Sequence, residues 1–217
     1  MSGSVILVAG CTGLVGSAVL QQLLGDERAS RVIALVRRPL PLQHPKLEQR
    51  VADGDLLTGL RDERVDGVVC ALGTTIRNVG GDKAKFIHVD KDLVVGLARW
   101  AKDHGAQRFT VVSAIGADAG SRIFYNRVKG EMERDVEAIG LPATHILHPS
   151  ILTGPRREKR TGERIGILVA KAIAPLLPHR YRPMPHDVLA GAAVNAAITG
   201  SGGVHRHTYD AILELAR

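Results

Sequence analysis

Aromatic residues are scarce in this sequence of 217 residues, which has one tryptophan, three tyrosines and three phenylalanines. Proteins that bind single-stranded nucleic acid stack the bases on aromatic rings, so this scarcity argues against such a platform. The core must instead be packed by aliphatic side chains and alanine, and the hydrophobic fraction of 45% is sufficient for that. A chain of this length buries a substantial core as one domain, so we expect a globular protein.

Cysteine is equally scarce, with Cys11 and Cys70 alone. Two thiols without a Cys-x-x-Cys spacing form neither a disulfide framework nor a zinc site, so we expect both to be reduced and inert. The nine histidines show no His-Glu-x-x-His or comparable spacing, and the segment from His205 to His207 has the alternation of a strand. No metal site is therefore predicted.

Long hydrophobic runs are also absent, because no segment reaches the roughly 18 apolar residues that cross a bilayer. The first apolar segment follows Met1 to Ser4 directly, without the charged leader that is typical of an export signal. These two absences predict a cytoplasmic protein with no membrane association.

The net charge of +7 is compatible with nucleic acid, because a basic surface attracts phosphate groups of any kind. Arginine and lysine are nevertheless spread along the chain, and the only dense basic run lies at residues 155–160. A solvated or cofactor-facing loop is the simpler interpretation of that run. We expect no nucleic-acid partner.

What the sequence does contain is an alternation of short β-branched runs with longer segments of helical period, which is typical of βαβ units and a parallel sheet. The strands are nearly continuous in apolar residues, which indicates helices on both sheet faces. Strands are predicted at residues 4–9, 31–36, about 49–52, 67–72, 108–113 and 143–147, and helices at 14–24, 82–104, 122–139, 163–174 and 186–200. The predicted fold class is therefore α/β, a Rossmann-like doubly wound parallel sheet. It forms a single domain over 1–217, with a C-terminal part from about 150 that covers the substrate end.

The first predicted strand runs into a glycine-rich segment, Gly10-Cys11-Thr12-Gly13-Leu14-Val15-Gly16. Free backbone amides and the positive end of the following helix allow such a turn to bind a pyrophosphate. The glycine spacing differs by one residue from the GxGxxG dinucleotide fingerprint, and a plain strand-to-helix turn is the alternative. The strand and helix on either side favour a dinucleotide site formed by Gly10, Thr12, Gly13, Leu14, Val15 and Gly16.

The second strand ends at Arg37 and Arg38, about 20 residues beyond the glycine loop, where a dinucleotide site meets the adenosine ribose. A carboxylate there would bond the 2′-hydroxyl, whereas a guanidinium binds a 2′-phosphate through paired donors. This pair predicts NADP(H) rather than NAD(H), the alternative being two exposed arginines at a strand end.

Two later loops complete the predicted cofactor site. After the third strand, Asp55 and Leu56 could place a carboxylate beside the adenine amino group. After the fourth, the cofactor ribose and pyrophosphate could be lined by Leu72, Gly73, Thr74 and Thr75. Each segment is by itself compatible with an ordinary loop.

Tyr125 and Lys129 stand four residues apart, on one face of a predicted helix. A free phenol titrates near pH 10, and a nearby ammonium, helped by the charge of an oxidised nicotinamide, is expected to lower the pKa of Tyr125 into a useful range. Ser113 ends the preceding strand, where its hydroxyl could orient a substrate carbonyl. The alternatives are a surface Tyr/Lys pair and a turn serine.

Together these segments resemble the atypical short-chain dehydrogenase/reductase family over most of the chain. The resemblance is carried by the glycine loop, by Cys70-Ala71-Leu72-Gly73-Thr74-Thr75, Val89-Asp90-Lys91-Asp92, Val112-Ser113-Ala114-Ile115-Gly116-Ala117-Asp118 and Tyr125-x-x-x-Lys129-Gly130-Glu131, and by the segment from His148 to Arg156. The Leu-Gly-Thr-Thr and Ser-x-x-Gly-Ala-Asp strings are the most specific of these.

The resemblance implies NADP(H) in the glycine loop, with Ser113, Tyr125 and Lys129 in the family's catalytic positions. It also implies that Thr12, Arg37 and Arg38 approach the adenosine phosphate, and that the nicotinamide is approached by Pro149, Ser150 and Ile151. Two departures are visible. Asp90 replaces an asparagine found in many extended relatives, and His148 replaces a common arginine.

The function predicted from these features is NADP(H)-dependent hydride transfer to or from a small carbonyl or alcohol substrate. A different class of function is an NADPH-binding regulatory or redox-sensing module that contacts a regulatory protein and has little turnover. Retention of the Tyr125 and Lys129 pair favours the enzyme.

Overall fold

A computed structural model of the protein describes residues 3–154 and 182–217. In it seven strands form one sheet, and every neighbouring pair of strands is parallel. These strands are β1 (Ser4–Ala9), β2 (Ala29–Val36), β3 (Leu47–Val51), β4 (Gly67–Cys70), β5 (Arg108–Val112), β6 (Ala143–Leu147) and β9 (Gly203–His207). Their spatial order is β3-β2-β1-β4-β5-β6-β9. A separate short pair joins β7 (Leu152–Thr153) to β8 (Met184–Pro185). The predicted doubly wound parallel sheet is confirmed.

Helices cover both sheet faces. They are α1 (Leu14–Gly25), a 3-10 turn (Leu56–Gly59), α2 (Lys83–Ile87), a π-helical turn (His88–Asp92), α3 (Leu93–Asp103), α4 (Phe124–Ile139), α5 (His186–Thr199) and α6 (Tyr209–Leu215). Alternate residues of β1 belong to the two buried clusters, with Ile6 and Val8 packed toward α1 and α5, and Leu7 and Ala9 toward α3 and α4. The two-residue period of a strand thus divides the apolar residues between two layers.

The helix predicted at 82–104 is present but is not uniform. The residues from Lys83 to Asp103 are helical throughout, with a π turn at His88–Asp92 between two α-helical parts. Such turns are rare in proteins, but those that occur are often at functional sites. The helix predicted at 122–139 begins at Phe124, and the last long helix runs over His186–Thr199, close to its predicted bounds.

The predicted helix at 163–174, the basic run at 155–160 and most of the proline-rich loop at 175–185 lie outside the described residues. In the described part of the chain, no helix is long and apolar enough to span a membrane.

The strand expected around His205 and His207 is present as β9, at the edge of the sheet beside β6. Both rings stack on His145, at centroid distances of 5.0 and 5.3 Å. Burial, together with the two neighbouring rings, lowers the pKa of His145 to about 4. Among the residues that the structure describes, no group of three or more side chains has the arrangement of a metal site.

Candidate nucleotide site and active site

The glycine loop connects the carboxyl end of β1 to α1, and at Gly10 and Gly16 it is so tight that only glycine fits. Gly10 has a φ of +90°, and a Cβ there would lie 2.4 Å from the carbonyl oxygen of Ala71. A Cβ on Gly16 would lie 2.1 Å from the carbonyl oxygen of Gly10, which also accepts a 2.9 Å hydrogen bond from the Gly13 amide. The loop therefore sits between β1 and β4, where the strand order reverses, which is where open α/β sheets bind ligands.

The predicted phosphate-binding side chains are accessible at this edge of the sheet. Thr12 and Gly13 are exposed in front of α1, whereas Val15 and Gly16 are buried within it. Arg37 and Arg38 follow β2 directly, and both are exposed. Since β1 and β2 are parallel neighbours, their following loops lie side by side.

Asp55 is engaged within its own loop. Its Oδ1 accepts a 2.9 Å hydrogen bond from the Leu57 amide, which caps the 3-10 turn, and its Oδ2 lies 3.1 Å from His88 Nε2. Leu56 is buried beneath it. A contact of the Asp55 carboxylate with adenine would therefore compete with these two interactions.

Tyr125 and Lys129 are on the same side of α4 but in different surroundings. The Tyr125 side chain is 37% exposed and packs against Phe86 at a ring distance of 5.8 Å. Lys129 is buried, and its Nζ lies 2.9 Å from Oδ1 of Asp90, which the π turn presents. The other oxygen of Asp90 accepts a 2.8 Å hydrogen bond from the Thr74 amide. The structure thus brings α4, the π turn and the loop after β4 together at one point.

The electrostatics of this pair differ from the expectation for Tyr125. Partial burial raises the pKa of Tyr125; Lys129 lowers it, but Asp90 raises it again, and the result is above the ordinary value. Burial disfavours the ammonium of Lys129, but Asp90, together with Tyr125 and Cys70, favours it, and the pKa of Lys129 is raised. In the chain alone, burial and Asp90 together therefore outweigh the effect of Lys129, and the expected lowering with an oxidised nicotinamide present stays a prediction.

Ser113 directly follows β5, which ends at Val112, one residue before the predicted strand end, and it is buried. Its hydroxyl donates to Oε1 of Glu133 on α4, and the same oxygen lies 2.9 Å from Nε2 of His148. Arg206 approaches the other oxygen of Glu133, at 3.9 Å. Ser113 is thus tied to a buried carboxylate in this structure.

The segment after β6 forms one wall of the same edge. The carbonyl oxygen of Pro149 accepts a 3.1 Å hydrogen bond from the amide of Ile115. The hydroxyl of Ser150 donates to the carbonyl oxygen of Arg182. Ile151 pairs with Met184 through its backbone while 56% of its side chain stays exposed.

Both cysteines are buried beneath the site. Burial raises the pKa of Cys11 to about 12 and that of Cys70 to about 11, so neither is a thiolate at neutral pH.

The sequence did not predict the ion pair of Asp90 with Lys129 or the hydrogen bond from Ser113 to Glu133. A helical signal for Glu133 exists, because Tyr125, Lys129 and Glu133 follow each other at intervals of four residues along one side of α4. Nothing local in the sequence shows that the π turn brings Asp90 to that side.

The fold and the loops at its carboxyl edge define a dinucleotide-binding Rossmann protein. The model of a protein family described as NAD(P)H-binding matches residues 10–172. The mitochondrial protein FMP52 of Eremothecium gossypii is 36% identical over 170 residues, covering 77% of this chain and 75% of that protein. Protein HTATIP2 of Rattus norvegicus is 29% identical over 222 residues, covering 100% and 91%. The chain belongs to this NAD(P)H-binding family of atypical short-chain dehydrogenases.

Solved structures share the fold at low sequence identity. MoeE5 in complex with UDP-glucose and NAD has a TM-score of 0.69 and 18% identity, covering 97% of this chain and 80% of MoeE5. The UDP-N-acetylglucosamine 4-epimerase from Bacillus cereus has a TM-score of 0.68 and 20% identity, covering 95% and 79%. These structures support the Rossmann-like architecture.

The expected cytoplasmic location is contradicted by the relatives, because the FMP52 proteins of Eremothecium gossypii, Aspergillus niger and Emericella nidulans are named mitochondrial. The expectation depended on the absence of an export signal and of a membrane span. Neither absence distinguishes the cytoplasm from an organelle.

Proposed function

We propose that the protein is an NADP(H)-dependent oxidoreductase that transfers a hydride between the cofactor and the carbonyl or alcohol carbon of a small substrate. The observation that carries this proposal is the accessible phenol of Tyr125 one helical turn from the buried ammonium of Lys129, beside the loop of residues 72–75. This arrangement lies at the same sheet edge as the glycine loop, so a cofactor spanning that edge would reach it.

Each residue of the site has a separate part in the proposed reaction. The hydride comes from the nicotinamide when the cofactor is bound. Tyr125 holds the proton that the carbonyl oxygen receives. The ammonium of Lys129 forms an ion pair with Asp90 at 2.9 Å and, as a group with three donors, would also hold the nicotinamide ribose. Buried Val15 and Gly16 fix the start of α1, whose amides would bind the pyrophosphate.

The proposal is tested by mixing the purified protein with NADPH and a panel of aldehydes and ketones and following the loss of NADPH absorbance. We expect saturable oxidation with at least one carbonyl class. NADPH binding without oxidation across the panel would instead favour the redox-sensing module that contacts a regulatory protein.

The preference for NADP(H) is proposed from Arg37 and Arg38, which are exposed at the end of β2. We expect the Arg37→Ala/Arg38→Ala double variant to lose about 2 to 3 kcal/mol of NADPH binding, or about 30- to 150-fold in Kd, because charge-assisted bonds to the 2′-phosphate are removed. NADH binding should stay within about twofold. Fluorescence titration with both cofactors measures the two constants.

A matched control is Arg61→Ala/Arg64→Ala, which removes two exposed arginines at the opposite, amino end of β4. It changes the net charge equally and should leave both Kd values unchanged. Equal weakening of NADPH and NADH by the Arg37 and Arg38 substitutions would contradict a 2′-phosphate contact.

Ser113 enters the proposal as the residue that polarises the substrate carbonyl, for which its hydroxyl must turn from Glu133 to the substrate. We expect Ser113→Ala to lower kcat by about 10²-fold, as for the loss of one donor to a developing oxyanion. Thr110→Val on the preceding strand, β5, is the control, because the buried Thr110 hydroxyl has no hydrogen-bond partner within the described part of the chain. An unchanged kcat in Ser113→Ala would limit Ser113 to holding Glu133.

A further inference from the structure

The carboxylate of Asp90 is one of the most deeply buried charges that the structure describes, with a side chain 1% exposed against a Lys129 side chain that is 4% exposed. Its two oxygens serve two different segments, Oδ1 facing Lys129 Nζ at 2.9 Å and Oδ2 accepting from the Thr74 amide at 2.8 Å. Breaking such a pair by removing one partner leaves an uncompensated buried charge, so the two charges form one unit.

The π turn that presents Asp90 is fixed against α4. On its outer side, Lys91 Nζ lies 3.1 Å from Glu131 Oε2 and 3.2 Å from Asp135 Oδ2. Asp90 and Lys91 thus bind α4 on the two sides of the turn. Asp90 therefore occupies a position determined by the fold.

The groups that surround Tyr125 belong to its own helix and to the elements that pack against that helix. Lys129 is on its own helix, Asp90 is on the π turn, and the Cys70 thiol of β4 is neutral beneath them. Phe86 of α2 is apolar. Farther out, Lys83 and Arg127 lie over the neighbouring ring of Phe124 at 5.4 and 5.8 Å. The buried charges nearest to the phenol therefore sum to zero.

We propose that Asp90 is a positioning residue that offsets the charge of Lys129 and, together with the partial burial of the phenol, keeps Tyr125 neutral until the cofactor is oxidised, which prepares this site for carbonyl reduction. This inference rests on the proposed function. It goes beyond it by stating the protonation state from which the site starts and by giving Asp90 a role.

Carbonyl reduction at this site transfers one hydride and one proton to the substrate. The carbonyl carbon receives a hydride from the reduced nicotinamide, and the C=O π electrons go to the carbonyl oxygen, which takes the proton of Tyr125 Oη. An alcohol and the oxidised cofactor result. The phenolate left on Tyr125 is then stabilised by the positive nicotinamide, and it regains a proton from solvent, to which the side chain is 37% exposed. A neutral phenol is the form that this step consumes.

The first test is a spectrophotometric titration of phenolate absorbance in the wild-type protein, from which the titration of Tyr125→Phe is subtracted to isolate Tyr125. In the chain alone we expect Tyr125 to ionise above its ordinary value of about 10. Saturating NADP⁺ should lower the midpoint by about one pH unit or more, and NADPH should not. A midpoint in the chain alone below about 9 would overturn the proposal, since Asp90 would then fail to offset Lys129.

The second test is Asp90→Asn, an isosteric change that retains an oxygen for the Thr74 amide. We expect the Tyr125 midpoint to fall by about one pH unit or more, because the charge of Lys129 is no longer offset. Asp92→Asn is the control, since Asp92 ends the same turn but is exposed, and it should not move the midpoint. An unchanged midpoint in folded Asp90→Asn overturns the proposal.

The two hypotheses fail separately. Absence of carbonyl reduction with the expected titrations removes the proposed function but retains the charge role of Asp90. Reduction with a low Tyr125 midpoint retains the function and removes this inference. Should Asp90→Asn fail to fold, the wild-type titrations with and without the cofactors decide the matter.

Discussion

Tyr125→Phe is expected to lower kcat for carbonyl reduction by at least about 10³-fold, since proton transfer by a positioned side chain contributes about 10² to 10⁴ to a rate. Only the hydroxyl is removed. The ring that packs against Phe86 at 5.8 Å is retained, as is the buried pair of Lys129 and Asp90. The NADPH Kd should therefore remain within about threefold of the wild-type value, and the loss of activity should appear in kcat.

The measurement compares kcat and the NADPH Kd of three proteins. Tyr209→Phe serves as the control, because Tyr209 begins α6 and packs against the apolar layer that contains α1 and α5, opposite the layer that contains α4, and the change should leave both constants unchanged. Retention of more than about a tenth of the wild-type kcat in Tyr125→Phe would exclude Tyr125 as the proton donor. A loss of NADPH binding equal to the loss of kcat would point to a binding role instead.

The sheet and the nucleotide loop were predictable because their signals are local. The apolar strands, the Gly10-x-x-Gly13-x-x-Gly16 spacing and the helix after it each occupy a short window of sequence. Parallel strands then place the loops after β1, β2 and β4 at one edge without further information. The positions of Arg37 and Thr74 follow from that geometry.

The electrostatics of the site were not predictable in the same way. The effect of Lys129 on the Tyr125 pKa is readable from their spacing on a helix, but the direction of the net shift in the folded chain depends on burial and on Asp90, which is remote in sequence. Asp90 reaches the site through a π turn, for which the sequence has no recognisable pattern. The bond of Ser113 to Glu133 likewise depends on how α4 lies across β5.

The glycine loop makes the second large prediction, because its close contacts are with backbone atoms. In Gly16→Ala the new methyl group would lie 2.1 Å from the oxygen and 2.6 Å from the carbon of the Gly10 carbonyl. Gly10 cannot yield, since it has a φ of +90° and itself lies against the backbone of Ala71. We expect a loss of about 3 kcal/mol in the free energy of unfolding, the upper end of overpacking costs.

The same substitution should weaken NADPH binding by about 100-fold or more, because displacing the turn moves the amides that we propose bind the pyrophosphate. Urea denaturation and NADPH fluorescence titration measure the two effects. Gly25→Ala, at the other end of α1, is the matched control, since a Cβ there meets nothing within 4 Å. It should leave binding unchanged and alter stability by less than about 1 kcal/mol.

Gly13 provides an intermediate case, because a Cβ there would meet only the Gly10 oxygen, at 3.3 Å. The free energy of unfolding should therefore be highest for Gly25→Ala, intermediate for Gly13→Ala and lowest for Gly16→Ala. The order for NADPH binding should be the same if the tight turn itself forms the site. Wild-type binding in a folded Gly16→Ala variant would show that the turn serves only the packing of α1 on β1, and that the cofactor is held elsewhere.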